Sequence, residues 1–182
     1  MKIFSVVVML TAILFGGLGE SEAWALDNDE EQQKAQQFIE KVEQGDPEAQ
    51  YIFGMMYDLG EGVPQDYAEA LKWYRKSAEQ GLAKAQAMLG EIYSDGKEVV
   101  SQDYVEAFKW SRKAAKQGVA PAQFKLGLMY SLGKGIPQDY AAAVKWFRKA
   151  AEQGNVEAQS ILGTMNLHGK GIPQNYTEAF KW

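Results

Sequence analysis

The chain has 182 residues, 46% of them hydrophobic and 24% charged, with 19 Lys and Arg against 24 Asp and Glu. That balance belongs to a folded globular protein and excludes a disordered polyelectrolyte. The net charge of −5 argues against a nucleic-acid partner, and the lack of any cysteine excludes disulfides, thiolate chemistry and lipid-modified cysteine.

Residues 1–25 are expected to be a signal peptide. Lys2 precedes the apolar run "IFSVVVMLTAILFGGLG", and Ala23 and Ala25 occupy the two small-residue positions before a cleavage point. An uncleaved membrane anchor is the alternative, because the run is near the lower length limit for spanning. Cleavage after Ala25 removes Lys2, Glu20 and Glu22, leaving 18 cations against 22 carboxylates. The expected location is therefore periplasmic or secreted, with no membrane association once the leader is gone.

Residues 26–45 are expected to be an N-terminal capping helix, because Phe38 falls in the register that Tyr74 occupies further on. From there one pattern recurs, ending in "QG" at Gly45, Gly81, Gly118 and Gly154. The copies are 46–81, 82–118, 119–154 and a truncated 155–182, and a period of 36 or 37 residues is that of helical repeats. The last copy stops half-way through its second helix, so the sequence is either a piece of a longer repeat protein or ends in a frayed repeat.

The first half of each copy has helical spacing, with Ala49, Ile52, Phe53 and Met56 forming the inner stripe of helix A in the first one. Gly60, Gly96, Gly133 and Gly169 mark its end. A loop such as "GEGVPQ" or "GKGIPQ" follows. In the second copy "EVVSQD" replaces "GVPQD", which implies a longer, less tightly turned loop. Asp66, Asp103, Asp139 and Asn175 are placed to cap helix B, and Glu69, Glu106 and Glu178 resemble the second half of a capping box.

On helix B, Tyr67, Ala70, Leu71, Trp73, Tyr74 and Ala78 share one broad face, opposite Lys72, Arg75, Lys76 and Glu79. The recurring tryptophans read as inter-helix packing rather than as an aromatic cage for a cation, since such a cage needs rings converging on one open site. The basic stripe, repeated at Lys109, Arg112 and Lys113 and at Lys145, Arg148 and Lys149, reads as a solvated face interleaved with glutamates. One helix–loop–helix unit cannot bury its apolar face alone, so the copies are expected to stack.

The stretch "EAQYIFGMMYDLGEGVPQDYAEALKWYRKSAEQG" resembles the Sel-one-like repeat (SLR) family, relatives of the tetratricopeptide repeat. The resemblance covers residues 46–182. It carries the family's Ala, Leu-Gly and Tyr on helix A, the Gly-x-Gly-Val loop, then Asp, Trp-Tyr, Lys-Ala-Ala and Gly. Phe53 replaces the Leu in the first copy, and Asn166 replaces the Tyr in the fourth. The resemblance implies an all-α fold, a right-handed α/α superhelical solenoid of helix–loop–helix repeats. It also implies a protein-interaction scaffold whose concave side is lined by helix A.

Within the chain, the helix A positions beside the packing stripe vary from copy to copy. Tyr51, Met55 and Leu59, then Glu91 and Asp95, then Phe124, Leu128 and Leu132 form the expected partner-binding surface. Large apolar groups flanking two carboxylates suit a peptide with apolar anchors and a basic residue between them. The alternative is that these side chains pack against the next helix. No cofactor or metal is expected. The single histidine, His168, has no second ligand and no nucleophile context. The other functional class is a cell-wall or β-lactam-hydrolysing enzyme. Cysteine-rich members of the same repeat family are linked to that chemistry, but their disulfide-paired repeats have no counterpart here.

Overall fold

The computed structural model describes residues 29–96 and 99–182; the signal-peptide assignment lies outside them. Among the described residues there are nine helices and no strand, so the fold is all-α. They are α1 (Asp29–Glu43), α2 (Pro47–Leu59), α3 (Tyr67–Glu79), α4 (Ala83–Asp95), α5 (Tyr104–Lys116), α6 (Ala120–Leu132), α7 (Tyr140–Glu152), α8 (Val156–His168) and α9 (Tyr176–Lys181). α2, α4, α6 and α8 are the A helices, and α3, α5, α7 and α9 the B helices. No helix among the described residues is long and apolar enough to cross a membrane.

The helices start and stop where their termini find hydrogen-bond partners. The Asp66 carboxylate accepts from the amides of Ala68 and Glu69, and Asp103 accepts from Val105 and Glu106. Asp139 and Asn175 each hold one amide, that of Ala142 and of Glu178. Each satisfies donors that the first turn leaves open. Gly60, Gly133 and Gly169 close α2, α6 and α8 in the left-handed region. The capping box does not form. The backbone N–H of Asp66, which Glu69 would have to reach, is already donated to the Tyr57 carbonyl at 2.9 Å. Glu69 instead pairs with Lys72 at 2.6 Å, and Glu106 with Lys109 likewise.

The same loop clamp recurs in every copy. Asp103 donates to the Tyr93 carbonyl, Asp139 to Tyr130 and Asn175 to Asn166. The preceding glutamine reaches back to a free carbonyl at the end of helix A: Gln65 to Asp58, Gln102 to Ser94, Gln138 to Ser131 and Gln174 to Leu167. The second loop is one residue longer, yet both of its clamps are in place. The expectation of a looser turn there falls in part on residues 97 and 98, which lie outside the described residues.

The chain divides into two compact units, Met1–Leu82 and Ala83–Trp182. In the first, Ala35 and Ile39 of α1 bury against Met56 and Val63, with Phe38 and Phe53 meeting edge to face at 6.4 Å. This packing seats α1 on the first repeat. Ile52, expected in the inner stripe, is 45% exposed; Ala49, Gln50, Gly54 and Met56 are the buried residues of α2. In the second unit, α5 and α6 share a core around Ala114, Ala115, Ala122 and Leu126. α7 and α8 share another around Val144, Phe147, Leu162 and Met165.

Each A helix crosses its B helix at a glycine. A methyl group on Gly127 would lie 2.6 Å from the Phe147 ring, and one on Gly54 would lie 2.8 Å from Tyr74. The missing side chain lets the bulky residue of helix B close the gap. Glutamine pairs seal the opposite end of the crossing. Gln80 Nε2 donates to Gln50 Oε1, Gln117 to Gln86 and Gln153 to Gln123, at 2.7–2.9 Å. Gln123 also donates to the Ala115 carbonyl of the preceding helix B, tying consecutive copies of the second unit. These glutamines recur in the sequence at fixed positions, and that repetition is the signal that marks them as structural.

Candidate functional site

The expected partner-binding residues fall into two groups. Leu59 and Leu132, at the last turns of α2 and α6, stand 57% and 59% exposed. Glu91 and Asp95 of α4 are exposed as well. Tyr51, Met55, Phe124 and Leu128 are half-buried. Tyr51 lies against Tyr74 with ring centroids 5.6 Å apart, and Phe124 against Phe147 at 5.8 Å. Leu128 packs on the α7–α8 core. The aromatic members of the stripe therefore also brace their own helix pair, and the freely presented part is narrower than the sequence implied.

In the second unit an ion pair links the acidic stripe of α4 to α6. Lys125 of α6 reaches Asp95 of α4 at 3.6 Å, so one carboxylate of the stripe is partly neutralised from the neighbouring A helix. Glu91 stands at the surface. In the first unit Asp58 accepts a hydrogen bond from the Tyr74 hydroxyl at 3.1 Å. Burial, then the nearby Asp58 carboxylate, push that hydroxyl well above the ordinary tyrosine pKa.

The basic stripe of helix B is largely engaged. Lys76 lies over the Trp73 ring at 3.8 Å, Lys113 over Trp110 at 4.0 Å and Lys149 over Trp146 at 4.6 Å. Lys72 and Lys109 are held by Glu69 and Glu106, hydrogen bonds that raise the pKa of both ammonium groups. Each of these three tryptophans thus has one face on the protein and a lysine across another, which leaves no open cage among them. Trp73 meets Phe53 edge to face at 5.1 Å, and Trp146 packs against the α5–α6 core.

His168 is exposed at the end of α8. No group of three His, Cys, Asp or Glu side chains among the described residues is arranged to hold a metal ion.

A family model for the Sel1 repeat matches residues 47–82, 83–119, 120–155 and 156–182. A protective antigen of uropathogenic Escherichia coli displaying an SLR fold is similar in structure, with a TM-score of 0.77 and 42% identity over 84% of this chain. A Sel1 repeat protein from Oxalobacter formigenes gives a TM-score of 0.76 and 36% identity over 88%. In sequence, half of the chain is 31% identical to the HRD3A component of an ERAD-associated E3 ubiquitin-protein ligase from Arabidopsis thaliana. The chain spans 32%, 65% and 14% of the lengths of these three proteins.

Proposed function

Since the chain belongs to the Sel1 repeat family, we propose that it is an exported, non-catalytic scaffold that binds a protein or peptide partner along its A helices. Proteins of this family often serve as interaction scaffolds, and the plant relative is named as one component of a multi-component ligase. The observation that carries the reading is the division of labour within each copy. Glycine crossings, glutamine pairs and loop clamps recur almost unchanged, while the helix A positions beside them differ and leave Leu59, Glu91 and Leu132 at the surface. Framework that repeats around side chains that do not is what a surface selected for recognition requires.

The proposed partner surface comprises Tyr51, Met55 and Leu59 in the first unit, and Glu91, Asp95, Phe124, Leu128 and Leu132 in the second. Export rests on the leader-like residues 1–25. The test is a crosslinking capture from the exported fraction, comparing the natural chain with a Leu59→Glu, Leu132→Glu double variant. Both leucines are exposed, so the fold survives the exchange. The reading expects mature protein beginning at Leu26, with a partner captured by the natural chain and lost by the variant. A partner retained by both removes the helix A assignment, and protein found only inside the cytoplasm removes export.

A further inference from the structure

The net negative charge of the chain is unevenly divided. Residues 26–82 carry 5 Lys and Arg against 13 Asp and Glu, whereas residues 83–182 carry 13 against 9. The second unit is therefore basic on its own. Its cations gather on the B helices: Arg112, Lys113 and Lys116 of α5, then Lys145, Arg148 and Lys149 of α7, all of them exposed.

α7 departs from α3 and α5. In those helices Lys72 and Lys109 are each held at 2.6 Å by a glutamate three residues earlier. Ala142 stands at that position in α7, and neither Lys145 nor Arg148 makes an ion pair among the described residues. Beside them lies a recess of about 620 Å³, lined by Val144, Trp146 and Ile172 together with Lys145, Arg148, Lys149 and Glu152. No residue of α9 lines it. The matching face of α5 stays exposed at Val105, Lys109, Arg112 and Lys116, although the whole of α7 follows it. An adjoining helix B therefore leaves this face open.

We propose that this outer face of α7 binds an acidic segment of a partner polypeptide. Its carboxylates meet Lys145 and Arg148, and an apolar side chain between them enters the recess. Cations around an apolar lining are complementary to carboxylates spaced around an apolar residue. Nucleic acid is disfavoured because base stacking needs open aromatic faces, and Lys113 and Lys149 lie over Trp110 and Trp146. A lipid surface is disfavoured because peripheral binding sinks protruding apolar groups into the bilayer, whereas Val144 is 4% exposed. The surface uses none of the helix A residues proposed above.

The test titrates a blocked hexapeptide, Glu-Glu-Leu-Glu-Glu-Leu, into the full chain and follows the Trp146 indole N–H by NMR. The control is the glutamine counterpart, Gln-Gln-Leu-Gln-Gln-Leu. A saturable shift with the acidic peptide alone is expected, weakening as salt rises to about 0.5 M. Lys145→Gln combined with Arg148→Gln should weaken binding about fivefold or more, while Lys34→Gln on α1 leaves it unchanged. These three side chains are exposed, so the variants keep the fold. No saturable shift in the natural chain overturns the proposal, as does equal response to the two peptides. Undiminished binding by the Lys145, Arg148 variant overturns it too, as does an equal loss in Lys34→Gln. Where phosphatidylglycerol vesicles or an oligothymidylate move the indole and the acidic peptide does not, the face belongs to a lipid or nucleic-acid partner and the proposal falls. The Leu59, Leu132 capture reports on the A helices and this titration on α7, so either reading can fail alone.

Discussion

Tyr74 shows how much one side chain does in a repeat. It fills the glycine crossing at Gly54, lies tilted against Tyr51 and donates to Asp58. Phe147 fills the same crossing in the third copy without a hydroxyl, so Tyr74→Phe keeps the packing and removes the hydrogen bond. The expected cost is about 1 kcal/mol at neutral pH. The pH dependence has a definite sign. The folded hydroxyl ionises above the ordinary 10.0, so an unfolded tyrosine gives up its proton first. The stability held below pH 10 is therefore lost as the pH climbs beyond it, and Tyr74→Phe flattens that alkaline decline. Urea unfolding of both proteins from pH 8 to pH 11 checks this; parallel alkaline declines would contradict it. The aromatic identity of these positions was legible in the sequence, but their duties were not. Tyr51 and Phe124 looked free because the rings that brace them lie on a helix some 23 residues away in the chain. Ile52 looked buried because a helical stripe can be drawn one residue off without changing its spacing.

The elements were read more reliably than the side chains, since their signals are local. Asp or Asn before helix B and Gly after helix A mark termini that need caps, and both caps form. The capping box failed for a reason outside any local window: the amide it needs belongs to a clamp on the preceding helix. The loops carry a second non-local duty. Lys134 lies over the Tyr104 ring of the preceding helix B, and Gly135 has φ +75 with its α-carbon against the Tyr104 carbonyl. A methyl group there would overlap that carbonyl, whereas one on Gly154, at φ +88, would meet nothing within 4 Å. Gly154→Ala should thus cost only the left-handed backbone term, about 1–2 kcal/mol. Gly135→Ala should cost clearly more, because the loop must also withdraw from helix α5. Equal urea midpoints for the two variants would show that the loop contact contributes nothing.

At the scale of the whole molecule, a repeat protein has no single centre: each copy is held by its neighbours, and stability varies along the chain. The repeat period and its stacking were visible in the sequence, because the same residues return every 36 or 37 positions. What no repetition could show is where the copies stop supporting one another equally. Within the second unit, α6 and α7 bury Leu126, Val144 and Phe147 in two shared cores. α9 is six residues long and has no buried residue; Phe180, in the register of Phe108 and Val144, is 95% exposed. Its hold on the rest comes from Trp182 packing against the α7–α8 core and from the Asn175 clamp to Asn166. Local opening should therefore begin in α9, extend next to α8 and reach α6 and α7 only with unfolding of the unit. Native-state hydrogen exchange measures this directly. Amides of Ala179 and Phe180 should exchange fastest, those of Leu162 and Met165 at an intermediate rate, and those of Leu126 and Phe147 slowest. Equal protection across these three groups would mean that the unit opens all at once, and that its last helix is held as firmly as its core.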